Sequence, residues 1–283
     1  MEPFVWKHKE GSPGLFKLQP WCDAYTNISA GFTSRIGGVS NKPYESLNLA
    51  FHVGDDPNDV IMNRKKLAET IGFDWNAWTS GEQVHGTEIA VVKEEDSGRG
   101  RDNRESAFQH TDGLVTNVPG VLLTSFYADC VPLFFYDPVK SVVGLAHAGW
   151  KGTVGKIALR MVNTMEKEYG SSPQDIVAAI GPSIGECCYE VDEVVMSRVR
   201  ELLDEFPADE KDIPAFYQPV AGGKSMLNLK QLNRHIMIKG GILPTHIECT
   251  TWCTNCHPDY FFSYRKEGGT TGRMASWIGI EKR

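Results

Sequence analysis

A domain that mixes β-strands with amphipathic helices is what this sequence predicts, and three observations carry that reading. Residues 121–127, 131–136 and 141–146 form three short runs rich in β-branched and aromatic side chains, separated by polar or turn-forming residues. Capped helical stretches recur on both sides of them. No stretch of the 283 residues reads as a linker, so residues 1–283 are expected to form a single domain with ample apolar content for a core.

Charge and cysteine usage narrow the function classes. The chain carries 29 basic and 36 acidic side chains, a net charge of −7. It has no basic cluster, so nucleic acid is not an expected partner. The opening MEPFVWKHKEGSPG has no apolar signal region, and no apolar run approaches the roughly 18 residues of a membrane span. A cytoplasmic protein with no membrane association is expected. Seven cysteines, an odd number in a chain too large to depend on disulfides, read as buried thiols or metal ligands.

The elements follow in order. Residues 1–27, with Phe4, Trp6, Phe16 and Trp21, are expected to form strands covering part of the core. Ile28–Thr33 is a strand that opens into a loop at Gly37-Gly38, where glycine permits close approach of the backbone. The absence of GxGxxG and GxxxxGK[ST] argues against a dinucleotide fold and a P-loop. Asp56 caps a helix that begins at Pro57, carries Val60, Ile61, Leu67, Ala68 and Ile71, and ends at Gly72. Arg64 sits at the edge of that stripe, where a snorkelling role is the simplest account. Residues 88–92 are a strand, and the charge-dense stretch 94–110 is a surface loop able to act as a lid. Asp137-Pro138 fits a hairpin turn. A helix over 152–169 follows, its free N–H groups and Lys151 favouring an anion. Then come a strand over 175–180, a helix over 192–206, an irregular stretch 207–227, and a helix over 228–239 closed by Gly240-Gly241.

The residues with chemistry cluster at strand ends. Asp129-Cys130 and His147-Ala148-Gly149-Trp150 flank the apolar runs, and His85-Gly86 precedes the strand at 88–92. If His85, Cys130 and His147 meet, two imidazoles and a thiolate suit Zn²⁺, with the fourth position open as in catalytic rather than structural sites. A water held there would be acidified towards neutrality. Asp129 and Gln83 lie within two residues of these ligands and are candidates to orient them or to move a proton. Near the end of the chain, Cys249, Cys253, Cys256 and His257 are a candidate structural site of three thiolates and one imidazole, although His257 directly after Cys256 is cramped for chelation. Cys187 and Cys188, being adjacent, read as structural thiols.

Several segments resemble the YfiH/YlmD family, a family labelled both polyphenol oxidase (laccase) domain and purine nucleoside phosphorylase. They are Gln83-Val84-His85-Gly86, Ala128-Asp129-Cys130-Val131-Pro132, His147-Ala148-Gly149-Trp150 and Gly181-Pro182-Ser183-Ile184-Gly185. Ser46-Leu47-Asn48-Leu49, His52-Val53-Gly54-Asp55-Asp56, Ser263-Tyr264-Arg265 and Thr271-Gly272-Arg273 belong to the same set. The match runs over nearly the whole chain in the family's order and is of the YlmD type. It implies an α+β fold, a layered α/β sandwich of mixed β-sheets flanked by helices, with a pocket at the sheet edges. It implies zinc on His85, Cys130 and His147, and action on purine nucleosides with phosphate. The implied reactions are phosphorolysis of adenosine, inosine, guanosine and S-methyl-5'-thioadenosine, and deamination of adenosine. Asn48, Arg64 and Arg265 match family positions near the pocket and are carried over as substrate-binding candidates. Lys151 and Lys266 stand where the family often has Arg, and Lys does not supply the bidentate fork.

Within that reading His85, Cys130 and His147 are the catalytic centre. Asp129 is the first candidate for the acid/base group that a zinc deaminase needs, with Glu190 as the second. Arg64, Arg265 and the helix start after Lys151 are the candidates for a phosphate pocket. Three competing readings remain. A copper-dependent phenol oxidase shares the donor set of two imidazoles and a thiolate, but a multicopper laccase needs more histidines than the eight present, and none forms a His-x-His pair. A cysteine hydrolase would use Cys130 as nucleophile and His147 as base. A zinc-dependent binding protein would have the site without turnover.

Overall fold

The computed structural model of the chain describes residues 1–209 and 212–282. In chain order the first strands are β1 (Phe4–Lys7), β2 (Leu15–Leu18), β3 (Ile28–Thr33), β4 (Trp78–Ser80) and β5 (Ile89–Val91). The central ones are β6 (Gly113–Thr116), β7 (Leu122–Tyr127), β8 (Val131–Asp137), β9 (Val142–Ala148) and β10 (Val177–Ile180). The last are β11 (Glu190–Val191), β12 (Tyr217–Val220), β13 (Lys224–Leu227), β14 (Ile247–Cys249) and β15 (Met274–Ile280). The helices are α1 (Gln19–Ala24), α2 (Pro57–Ile71), α3 (Trp150–Val154), α4 (Ile157–Tyr169), α5 (Glu193–Glu205), α6 (Ile213–Phe216) and α7 (Leu229–Lys239).

The strands form two mixed six-stranded sheets, ordered β1-β2-β3-β15-β7-β4 and β14-β10-β8-β9-β6-β5, and a small sheet β11-β13-β12. Side-chain alternation along β8 and β9 explains the layering. Phe134, Tyr136, Val143 and Leu145 face the first sheet, where they join Phe16, Phe32, Leu123 and Tyr127 in one core. Leu133, Phe135, Val142 and Ala146 face the other way, onto α4, α5 and α7 through Met161, Val199 and Ile236. Strands buried on both faces read as nearly continuous apolar runs, as 121–136 does. The outer face of the first sheet is covered by α2, whose Leu67 packs in one cluster with Trp78 of β4 and Trp277 of β15. The result is helix, sheet, sheet, helices: the expected α+β layered sandwich.

Local signals hold where they are strong. Asp56 accepts from the Asn58 N–H, and Gly72 closes α2 in the left-handed conformation. Asp192 caps α5 and Asn228 caps α7 in the same way. Three expectations change. Residues 1–27 hold a short helix, α1, besides their strands. The helix expected over 152–169 is two helices, broken where Lys156 takes φ 62°. Gly152 and Gly155 weaken the helix there, whatever the apolar stripe favours. The stretch 207–227, expected to be irregular, contains α6 and the hairpin β12–β13, paired from Tyr217↔Leu227 to Val220↔Lys224. Residues 210 and 211 of that stretch lie outside those described. Among the described residues, no helix is long and apolar enough to cross a membrane.

Candidate metal centre and its two cavities

The sheet register assembles the site. The β8–β9 hairpin pairs Val131 with Ala148 and Pro132 with His147, so Cys130 and Gly149 emerge side by side at its open end. β6 pairs with β9 from Gly113↔Ala146 onward, which sets Asp112 beside His147, and the His147 N–H donates to the Asp112 carbonyl at 2.8 Å. β5 runs parallel to β6, so the loop that precedes it falls beside Asp112 as well. Three segments far apart in sequence thus end at one point. The donor atoms of His85, Cys130 and His147 all lie within 4.8 Å of one another. His85 Nε2 is 3.8 Å from Cys130 Sγ.

Asp112 organises this centre, and sequence reading missed it. It is 2% exposed. Its Oδ2 accepts from the N–H groups of Val84 (3.1 Å) and Gly86 (2.7 Å), and its Oδ1 from that of His85 (3.0 Å). Oδ1 also receives His147 Nδ1 at 2.9 Å. An ionised carboxylate only accepts, so the proton sits on Nδ1 and Nε2 is left to bind. Burial works to raise the Asp112 carboxyl, but His147 and the Gly86 and Val84 N–H groups outweigh it and hold the group below its ordinary value. His85 itself adopts φ 61° in the clasped loop.

The electrostatics prepare the sulfur. Burial pushes the Cys130 thiol up, yet the charge of His147 and hydrogen bonds from both imidazoles prevail and bring it down to about 6. Burial likewise disfavours a charged His147, but Cys130 and Asp112 lift it to about 9. Gly149 keeps the space between the donors clear: a Cβ there would stand 3.0 Å from His85 Cδ2 and 3.1 Å from Cys130 Sγ. A borderline-soft cation fits this donor set, and three protein ligands leave a position for a further one.

Two cavities meet at His85. One, of about 280 Å³, is lined by Cys130, Asp129, Trp150, Lys151, Ile184 and Tyr189 among others. The other, of about 170 Å³, is lined by Arg64, His52, Phe51, Arg104, Glu82 and Phe126 among others. A larger surface cavity of about 600 Å³ between the β1–β2 hairpin and α2 lies away from this chemistry.

The remaining candidates distribute as follows. Arg64 is not a snorkelling side chain. It is 1% exposed, donates to the carbonyls of Leu49, Gly100 and Arg101, and stacks on Phe51 and Phe126. Burial pulls it down to about 9, which leaves it charged at neutral pH. Those bonds to Gly100 and Arg101, with the Phe108 N–H donating to the Ser80 carbonyl, set the 94–110 loop as one wall of the second cavity. Asn48 is fully buried. Its amide is used by Ala50, Asp55 and the Arg273 N–H, and it lines neither cavity. Gln83 pairs with both backbone groups of Phe126, so its amide is an extension of the sheet and not a proton carrier. Asp129 lines the first cavity, its oxygens accepting from Thr254 Oγ1 at 2.6 Å and the Arg265 N–H at 2.8 Å. Arg265 is exposed, donates to the Glu190 carbonyl and lies over Tyr189. The Glu190 carboxylate points to Lys224, away from the centre. α3 begins at the rim of the first cavity, with Gly149, Trp150 and Lys151 lining it. The Cys249, Cys253, Cys256 and His257 set does not assemble: Cys249 turns to the Thr250 carbonyl and His257 packs edge-on against Trp252.

Fold and site together define an α+β sandwich with a metal-competent centre of two histidines and one cysteine at a sheet edge. The family model described as "Multi-copper polyphenol oxidoreductase laccase" matches residues 29–281, and the chain belongs to that family, the YfiH/YlmD family of the sequence motifs. It is similar to purine nucleoside phosphorylase YlmD of Bacillus subtilis (strain 168), 43% identical over 275 residues that span 96% of each chain. Among solved structures it is similar to YlmD from Geobacillus stearothermophilus, with a TM-score of 0.90, 38% identity, and 99% of this chain and 100% of that one covered. The Bacillus licheniformis hypothetical protein YfiH gives a TM-score of 0.89 at 40% identity, covering 98% of this chain and 99% of that one.

Proposed function

We propose that this protein is a zinc-dependent purine nucleoside phosphorylase, acting on adenosine, inosine, guanosine and S-methyl-5'-thioadenosine, that also deaminates adenosine. The observation that carries the reading is the convergence of His85, Cys130 and His147 on one point from which two cavities of different chemistry open. Relatives of near-full-length overlap bear the name purine nucleoside phosphorylase. His85, Cys130 and His147 would hold the zinc, which would supply Lewis acidity there.

The chain's own residues divide the remaining work. Trp150 and Tyr189 offer aromatic faces on which a purine can stack in the first cavity. Asp129, held by Thr254 and the Arg265 N–H, keeps lone pairs free to take or return a proton at the base. Arg64 places positive charge in the second cavity, where phosphate would sit, and has no carboxylate at ion-pair distance among the described residues, whereas Arg104 at the same cavity is paired with Glu82. In phosphorolysis a phosphate oxygen bonds to C1' of the ribose as the bond to the base breaks, giving free base and ribose 1-phosphate. In deamination, water replaces the 6-amino group and ammonia leaves. The donor sets speak against a multicopper oxidase: among the described residues, two groups can hold a metal, and neither contains three imidazoles.

Product analysis with adenosine tests this reading. Adenine is expected only with phosphate present, and inosine with or without it. No product under either condition would remove the proposal. Arg64→Lys keeps the charge but loses the Nη2 donor that the three backbone carbonyls leave over, so the KM for phosphate is expected to rise about ten- to a hundredfold, the worth of one charge-assisted bond. Phosphate-independent formation of inosine should change far less. An equal loss of both activities would place Arg64 in the scaffold alone.

A further inference from the structure

A second group of thiols lies outside this centre. β10 and β14 are parallel neighbours, paired Ala178↔Ile247 to Ile180↔Cys249, and their C-terminal ends send out two loops side by side. The loops stay in step: the Thr250 N–H donates to the Ile180 carbonyl and the Thr254 N–H to that of Ser183, each at 3.0 Å. One loop then turns at Gly185 and presents Cys187 and Cys188. The other presents Cys253 and Cys256. All four sulfurs lie within 4.8 Å of one another, with Cys256 Sγ 3.5 Å from Cys187 Sγ and 3.4 Å from Cys188 Sγ. None of the seven cysteines is in a disulfide.

From this geometry we infer that Cys187, Cys188, Cys253 and Cys256 form a structural tetrathiolate zinc site. Four thiolates about 2.3 Å from one Zn²⁺ in a tetrahedron stand ~3.8 Å apart, close to the spacing present. Sulfurs bound to separate irons of a cluster would stand further apart, so a single ion is the match. The backbone is shaped for it. The Gly185 N–H donates to Cys253 Sγ at 3.2 Å, and the Cys256 N–H reaches the same sulfur. N–H donors of this kind orient a thiolate ligand and stabilise its charge. A Cβ at Gly185 would come within 3.2 Å of Cys187 Sγ and 3.5 Å of Cys253 Sγ, so glycine leaves the cage open. Four protein ligands fill a tetrahedral zinc, the mark of a structural site, in contrast to the three at His85, Cys130 and His147.

The location gives the ion a task. The first loop carries Ile184 and Tyr189 into the larger metal-centre cavity, and the Ile184 N–H donates to the Asp129 carbonyl. The second carries Thr254, which holds the Asp129 carboxylate. An ion joining the two loops fixes that wall from behind, at residues that touch no substrate.

The test is metal content and cobalt spectroscopy on the full chain. Protein purified without added metal is expected to lose one zinc per chain in Cys253→Ser/Cys256→Ser, independently of the zinc lost in His85→Ala/Cys130→Ser. Should the first variant fail to fold, Co²⁺ loaded into His85→Ala/Cys130→Ser decides the matter. The intense visible absorption and sulfur-to-cobalt charge-transfer bands of a tetrathiolate site support the inference, and their absence overturns it. Iron in place of zinc, a disulfide among these cysteines in protein alkylated before digestion, or unchanged zinc content in a folded Cys253→Ser/Cys256→Ser variant would each overturn it as well.

Discussion

Asp112→Ala is expected to lower metal affinity about 10- to 100-fold and to destabilise the fold by about 3 kcal/mol. The first figure is the usual effect of removing the group that orients a metal-binding imidazole. Here one carboxylate orients two: it fixes His147 through Nδ1 and His85 through the loop N–H groups. The second figure takes the low end of the ~3–5 kcal/mol for removing one partner of a buried charged pair. Competition against a chelator measures the first effect and urea denaturation of metal-free protein the second. An Asp112→Ala protein that binds metal as the parent does would deny the residue its role.

In metal-free protein, Cys130 is expected to be the thiol that alkylates fastest at neutral pH, with its rate rising to a plateau above about pH 6. At pH 7 a thiol at about 6 is about 90% thiolate, against about 1% for one at about 9, and only the thiolate reacts. The sign follows from the pair. Above about 6 Cys130 has released its proton, and below about 9 His147 keeps one, so the two stand as thiolate and imidazolium in that window. The consequence for stability is specific. Relative to the unfolded chain, the lowered Cys130 favours folding increasingly as pH rises from about 6 to its ordinary value. The raised His147 loses its contribution as pH rises from its ordinary value to about 9. The two slopes oppose each other, so the pair leaves stability nearly flat across the window while reactivity changes steeply. Bound metal should abolish the alkylation. A reactive profile centred near the ordinary thiol value would contradict the arrangement.

The strands that matter most were readable because their residues leave little choice. β8 and β9 are buried on both faces, and Asp137-Pro138 marks the turn between them. The three donors stood out because each adjoins a glycine, a strand end or both. Asp112 did not: it follows a charge-dense stretch and looks like one more loop carboxylate. Only the pairing of β6 with β9 and β5 places it against His147 and the His85 loop. Long-range pairing also hid the four-thiol group, since Cys187 and Cys188 meet Cys253 and Cys256 only through β10 and β14. The reading of adjacent cysteines as plain structural thiols did not anticipate that grouping, for the same reason. Asn48 shows the opposite error: its motif is marked, yet its amide is spent holding Ala50, Asp55 and the Arg273 N–H just ahead of β15. The hairpin β12–β13 escaped notice because β12 is largely exposed and offers no apolar alternation.

Zinc K-edge absorption on Cys253→Ser/Cys256→Ser protein, which isolates the first centre, tests the central claim most directly. The account predicts one sulfur and two imidazole nitrogens around the ion, with a further oxygen or nitrogen in the remaining position. A folded variant that binds no zinc, or a shell without sulfur, would contradict it.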